Sequence, residues 1–164
     1  MSVSHRVGSD HQLARLLQIG LVLEEVVEAR AHHHYQSLGA DATLDPEIEA
    51  LLADAAEESA THRERLEELI ADLDAESIPF EDIETLVEAQ YAQTKPDDFD
   101  GVLYDQLCNE ETAYKFYDDL VSAIEASDAR FSVDRDRLLA VLRSIRADEA
   151  DGVEEVTKIM ETRD

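Results

Sequence analysis

The sequence EARAHHHY at residues 28–35 has a partial repeat, EETAYKFY, at residues 110–117. Both stretches read Glu-x-x-Ala-x-x-x-Tyr. Offsets of three and seven return to nearly the same face of an α-helix, so each copy would align a carboxylate, a small residue and a phenol. Burying a carboxylate without a partner is costly. The repeat therefore predicts two helices whose buried faces each carry an acid that needs a partner.

Apolar residues spaced three and four apart extend the pattern on both sides of each copy, and two further segments show the same spacing. This spacing is typical of helix–helix interfaces in bundles. It predicts four helices, at about residues 9–38, 45–74, 100–127 and 134–161. Each predicted buried face is apolar at both ends and polar or small at its centre. On the third helix this face is predicted to contain Leu103, Leu107, Glu110, Tyr114, Tyr117, Val121 and Ile124, with Ala113 beside it.

The segment between the second and third predicted helices, residues 75–99, is much longer than a turn between antiparallel neighbours needs. Pro79 and Pro96 would bound a short helix within it, at about residues 80–93. A long connection lets the third helix start again from the far end of the bundle. We therefore expect one all-α domain over residues 1–164, an antiparallel four-helix bundle with a long crossover between its second and third helices.

The chain is strongly acidic, with 40 Asp and Glu residues against 14 Lys and Arg and a formal charge of -26. Apolar residues still make up 44% of it, so the composition fits a folded domain rather than a disordered acidic polymer. An acidic, Lys-poor surface on an ordinary core resembles that of proteins from salt-accumulating halophiles, and we expect a halophilic source. Because salt screens repulsion between surface carboxylates, we expect the fold to weaken below about molar salt.

The composition also argues against several classes of function. No basic patch is present to neutralise phosphates, so we expect no binding to nucleic acid. Cys108 is the single cysteine, which excludes an intramolecular disulfide and a zinc or rubredoxin-type site built from several cysteines. The sequence has neither a run of about 18 apolar residues nor an apolar N-terminal signal region. We therefore expect no membrane segment and a cytoplasmic protein.

Polar residues at the centres of the predicted buried faces lie at similar depth. They are Glu28, His62, Glu110 and Glu149. Carboxylates close together raise one another's pKa and cost stability unless protons or a cation neutralise them. Oxygen and nitrogen donors on rigid helices suit a hard or borderline divalent metal. These four residues are therefore the predicted metal ligands.

This pattern resembles the ferritin-like superfamily, and within it the rubrerythrin and erythrin branch, over about residues 9–161. In that family a Glu comes from each of the first and third helices, and a Glu-x-x-His from each of the second and fourth. Glu28 and Glu110 match the first pair, His62 matches the His of the second helix, and Glu149 matches the Glu of the fourth. The resemblance implies iron, as a di-iron or mononuclear site, or manganese. It further implies oxidation of ferrous iron or reduction of peroxide or dioxygen, with an external electron donor.

Two positions depart from the family pattern. Ser59 stands where the second helix would carry Glu, and Gly152 stands where the fourth would carry His. Two nearby acids could compensate as reserve ligands, Glu58 on the second helix and Glu24 on the first. The departures also leave a second hypothesis open, a non-catalytic bundle with a degenerate metal site that acts as an interaction or structural module. For either function we expect a homodimer or a higher homo-oligomer.

Three details of the predicted site stay open. If the assumed helix phase is off by one residue, Glu25 and Glu111 would face inward. Residues 32–34 are three consecutive His, but adjacent positions on a helix diverge by about 100°, so they cannot chelate one ion together. Tyr35 and Tyr117 would either donate hydrogen bonds to the ligand carboxylates or pack as core residues.

Overall fold

The structure, a computed structural model, describes residues 7–39, 46–74 and 99–162, without the side chains of residues 32–39 and 99–100. Its helices are α1 Asp10–Gly39, α2 Pro46–Ala71, α3 Phe99–Ala126 and α4 Arg135–Thr162. Their ends lie within three residues of the predicted ones, because the 3.6-residue periodicity of apolar positions is a local property of the sequence. The described residues contain no strand, and the all-α prediction is confirmed.

Short polar side chains cap two of the helices at their N-termini. Ser9 Oγ accepts a hydrogen bond from the backbone N–H of Gln12 at 3.2 Å, at the start of α1. Asp134 Oδ1 accepts one from the backbone N–H of Asp136 at 3.4 Å, at the start of α4. These oxygens satisfy N–H groups that have no partner inside the first turn of a helix.

Hydrogen bonds at the two ends of the bundle define the directions of the helices. Asp10, at the start of α1, accepts from the backbone N–H of Asp74, just after α2, at 3.2 Å. It also accepts from the backbone N–H of Ser132, just before α4, at 3.0 Å. Towards the other end, Arg30 of α1 donates to Asn109 Oδ1 of α3 at 2.6 Å. Therefore α1 runs antiparallel to both α2 and α3, and parallel to α4.

The connection between α2 and α3 links opposite ends of the bundle. The chain leaves α2 where α1 begins, whereas α3 begins beside the C-terminal half of α1. This is the one-crossover topology, and it confirms the predicted ferritin-like bundle. The short helix predicted at residues 80–93 lies outside the described residues. Packing of α1 along α2 and of α3 along α4, with contacts between α1 and α3 and between α2 and α4, completes the bundle.

Among the described residues, the core consists of two apolar clusters with a polar band between them. The first cluster fills the end near Asp10 and is centred on Leu17, Leu66 and Leu142. The second fills the other end, around Leu52 and Val102. Side chains of the band are at most 5% exposed, namely Glu24, Ser59, His62, Gln106, Glu110 and Glu149. The predicted alternation of apolar ends and polar centres therefore holds in three dimensions.

One predicted core position is wrong. Tyr114 is 38% exposed, whereas Ala113 is 2% exposed and Tyr117 is fully buried. Both Tyr114 and Ala113 are about one turn from Glu110, on either side of it around the helix. The side that contains Ala113 belongs to the first apolar cluster, so Tyr114 is turned towards solvent.

None of the helices in the described ranges combines the length and the apolar character needed to cross a membrane.

Candidate metal centre

Four side chains of the polar band and the half-buried Glu58 converge from all four helices. Glu24 comes from α1, Glu58 and His62 from α2, Glu110 from α3 and Glu149 from α4. They form two groups of three, in each of which one donor atom per residue lies within 4.8 Å of the others. The first group is Glu24, His62 and Glu149, and the second is Glu58, Glu110 and Glu149. Glu149 is shared between the two groups.

His62 is held by carboxylates at both of its ring nitrogens. Its Nδ1 lies 3.2 Å from Glu24 Oε1 and 3.3 Å from Glu149 Oε1. Its Nε2 lies 2.9 Å from Asp148 Oδ2, on the outer side of the ring. Asp148 is the partner that sequence reasoning missed, since its only signal was its place next to Glu149. A carboxylate at one ring nitrogen fixes the orientation of the ring and leaves the other nitrogen facing the cluster.

Tyr117 holds the carboxylate of Glu24 from α3. The buried phenol donates a hydrogen bond to Glu24 Oε1 at 2.7 Å. Burial, together with the charge of Glu24, raises the pKa of Tyr117 well above its ordinary value, so the phenol stays a proton donor. The predicted role of Tyr117 as a donor to a site carboxylate is confirmed, and the side chain of Tyr35 lies outside the described part of the chain.

The carboxylate of Glu110 occupies the space above Gly152. A Cβ atom built on Gly152 would lie 2.6 Å from Glu110 Oε2 and 2.7 Å from Glu110 Cδ. On its other side, Glu110 Oε1 accepts a hydrogen bond from Gln106 Nε2 at 2.9 Å, one turn earlier on α3. The departure at residue 152 therefore has a structural reason, because any side chain there would collide with Glu110 as it is placed.

Glu28 lies outside both groups. Its Oε2 accepts a hydrogen bond from Arg63 Nη1 at 2.6 Å, and the same nitrogen donates to Glu25 Oε1 at 2.7 Å. The structure thus brings five of the six predicted ligands together, and at α1 it is the reserve ligand Glu24 that faces the cluster. The alternative helix phase is not seen, because Glu25 pairs with Arg63 and Glu111 is exposed. The side chains of the three consecutive His, residues 32–34, lie outside the part of the chain that the structure describes.

Burial and mutual repulsion shift the titration of the cluster. Burial raises the pKa of Glu149 to about 10, and the hydrogen bond with Glu110 adds to this against the opposing effect of His62. Burial likewise raises the pKa of Glu58 to about 7. Burial lowers the pKa of His62, but its hydrogen bonds to Glu149 and Glu24 outweigh this and raise it to about 11. Without a cation, protons and an imidazolium therefore compensate the buried negative charge.

Two buried oxygens of the cluster have no such compensation. Glu24 Oε2 and Glu110 Oε2 are buried and have no hydrogen-bond partner among the described residues. Leaving a buried carboxylate oxygen without a partner costs free energy, and a bound cation would supply one for each group. Four carboxylates and one imidazole are donors suited to hard or borderline divalent metals. The residues present therefore fit a metal ion.

A surface cavity of about 250 Å³ leads to the cluster between α2 and α4. It reaches His62 and the half-buried Glu58. The lining residues are Asp54, Glu57, Glu58, Thr61, His62 and Asp148. Acidic side chains concentrate cations at a site by their electrostatic potential. The cavity therefore offers a cation a direct approach from solvent.

Comparison with known proteins adds a family to this geometry. A family model of rubrerythrin matches residues 26–135. No curated protein and no solved structure matches the chain. The matched residues include Glu58, His62 and Glu110, whereas Glu24 and Glu149 of the cluster lie outside the matched range. Because the match covers more than half of a chain that folds as a one-crossover bundle around these acids, the protein belongs to the rubrerythrin family of the ferritin-like superfamily.

Proposed function

We propose that the protein binds iron or manganese in the core of the bundle and there oxidises ferrous iron or reduces peroxide or dioxygen. The observation that carries this proposal is the pair of donor groups that share Glu149, each with a buried carboxylate oxygen that has no hydrogen-bond partner among the described residues. A structural ion pair would satisfy those oxygens within the protein, whereas a cation site leaves them for the ion.

The two groups give the proposed ligand sets. Glu24, His62 and Glu149 would hold one ion, and Glu58, Glu110 and Glu149 a second. Bound iron would supply one-electron chemistry with dioxygen or peroxide, which protein side chains alone do not provide. The apolar clusters on either side of the band keep the donors in a mostly dry environment, where charge interactions are stronger than in water.

Neighbouring side chains orient the donors before any ion arrives. Asp148 holds the ring of His62, and Tyr117 holds Glu24 through its Oε1. Gln106 holds Glu110 through its Oε1. Such outer hydrogen bonds fix ligand orientation and commonly affect metal affinity by about 10- to 100-fold.

Turnover with peroxide or dioxygen consumes electrons. The chain has one cysteine, Cys108, which is exposed, so a rubredoxin-type site cannot form within the chain. We propose that a separate protein or small molecule donates these electrons.

The first test is elemental analysis of protein purified in molar KCl without chelator or added metal. We expect about one or two equivalents of iron or manganese in the wild type and a loss in Glu24→Ala and His62→Ala. Glu28→Ala is the matched control, since Glu28 lies one turn from Glu24 on α1 but outside both donor groups. Ferrous oxidation and peroxide reduction would then be assayed on the loaded protein.

Ser59 and Gly152 favour a second candidate, a bundle whose site no longer binds metal and which acts through its surface. Absence of metal in the wild type, followed by no uptake in an anaerobic ferrous titration, would support this candidate and refute the first.

A further inference from the structure

We infer that the centre is built from two unlike subsites that take different divalent cations, a borderline metal in the first and a hard ion such as Mn²⁺ in the second. The first subsite is Glu24, His62 and Glu149, and the second is Glu58, Glu110 and Glu149. This inference rests on the proposed function, in that the cluster must bind metal at all.

The donor atoms of the two subsites differ in chemistry. The first contains an imidazole, whose Nδ1 lies 3.2 Å from Glu24 Oε1 and 3.3 Å from Glu149 Oε1. The second contains carboxylates only. Imidazole suits zinc and iron, whereas a set of carboxylate oxygens suits manganese and magnesium. The first subsite should therefore prefer Zn²⁺ over Mn²⁺ more strongly than the second.

The all-oxygen character of the second subsite agrees with the packing of α3 against α4. The family pattern places a histidine of the fourth helix at residue 152, where a Cβ atom would lie 2.6 Å from Glu110 Oε2. Gly152 thus leaves room for the observed position of the Glu110 carboxylate, which a side chain at residue 152 would displace. That carboxylate is 5% exposed, and its Oε2 has no hydrogen-bond partner within the described residues. A cation held by Glu110 would satisfy this oxygen.

The positions of Glu58 and His62 on α2 separate the two subsites. They are four residues apart, so they lie one turn apart on the same face of the helix. His62 contacts Glu24 of α1 and Glu149 of α4, whereas Glu58 groups with Glu110 of α3. Only Glu149 belongs to both subsites. Changes to Glu58 and to His62 should therefore affect different ions.

Sequential loading with Zn²⁺ and Mn²⁺ tests this division. Metal-free protein in molar KCl receives one equivalent of Zn²⁺ and is titrated with Mn²⁺, with free Mn²⁺ measured by electron paramagnetic resonance and bound Zn²⁺ by elemental analysis. For the wild type we expect about one tight Mn²⁺ per chain and no release of Zn²⁺. The salt background suppresses loose binding to the acidic surface.

Variants assign each ion to its subsite. In Glu58→Gln we expect Mn²⁺ affinity to fall by at least about tenfold and Zn²⁺ affinity to change by less than about threefold. In His62→Gln we expect the reverse. Gly152→Ala should behave like Glu58→Gln although it alters no donor, and Ala favours helix over Gly, so α4 is retained. Glu64→Gln, an exposed position on α2, is the control and should change neither affinity.

The outcomes separate the inference from the proposed function. If Glu58→Gln and His62→Gln each weaken both metals alike, the centre is one undivided site and the inference is wrong, while metal binding stands. If Zn²⁺ at one equivalent abolishes Mn²⁺ binding, the same conclusion follows. If the wild type binds neither metal, the proposed function fails as well.

Discussion

We expect the metal-free protein to lose stability as the pH rises. In the metal-free fold the pKa of His62 is about 11 and that of Glu149 about 10, against ordinary values of 6.5 and 4.5. Both pKa values are raised, so the folded state holds protons that the unfolded chain has released. The stabilisation from Glu149 is complete below about pH 4.5 and that from His62 below about pH 6.5. Each is lost as the pH rises towards the folded-state pKa.

The expected size follows from proton linkage. One proton retained only in the folded state lowers the free energy of unfolding by about 1.4 kcal/mol for each pH unit. His62 and Glu149 are both at most 4% exposed, so solvent screens them little. Allowing for their direct contact, we expect the free energy of unfolding to fall by about 2–4 kcal/mol between pH 6.5 and 8.5. A bound metal replaces these protons and should remove most of the decline.

Urea unfolding followed by circular dichroism would measure this decline, in molar KCl, with EDTA or with saturating Mn²⁺. Glu149→Gln removes one of the two retained protons and also the hydrogen bond that raises the pKa of His62, so it should reduce the metal-free slope by at least half. Glu154→Gln, at an exposed position on α4, should leave the slope unchanged. A metal-free free energy of unfolding that is flat or rises with pH would refute the reasoning. An equally steep decline with Mn²⁺ bound would do the same.

Three further predictions concern the rest of the molecule. Tyr117→Phe removes the 2.7 Å hydrogen bond to the buried Glu24 and should lower the free energy of unfolding by about 1–3 kcal/mol in urea titrations; no change would mean that the bond is not formed. Arg63→Ala breaks ion pairs with Glu25 and Glu28 that are 20–27% exposed, so it should cost no more than about 1 kcal/mol and leave the metal content unchanged by elemental analysis. The melting temperature should rise between about 0.1 and 2 M KCl because salt screens the charge of -26, and a flat profile would contradict the halophilic interpretation.

Local pattern was sufficient for the helices and for the depth of the polar band. The spacing of Leu52, Leu66 and Leu69 along α2, for example, is a property of neighbouring residues and needs no knowledge of the fold. The same spacing put His62 and Glu149 at the centre of their helices, between apolar ends that pack as two clusters. The long segment after residue 74 likewise indicated the crossover before the ends of α2 and α3 were known.

The choice between Glu24 and Glu28 could not be made from the sequence. The two acids are four residues apart and share a face of α1, so helical periodicity treats them alike. Which of them meets the cluster depends on the axial register of α1 against α2, where Arg63 pairs with Glu28 and His62 contacts Glu24. Register is a property of the packed pair and not of either helix alone.

The sequence by itself therefore determined an all-α bundle with acids and a histidine at one depth, because the periodicity of a helix and the length of a connection are set along the chain and do not depend on packing. Only the tertiary structure decided how those donors divide into two groups. It also placed Asp148 behind His62 and showed that Gly152 makes room for Glu110. These contacts join residues more than 40 positions apart on different helices, and their distances are decided by how the helices pack against one another.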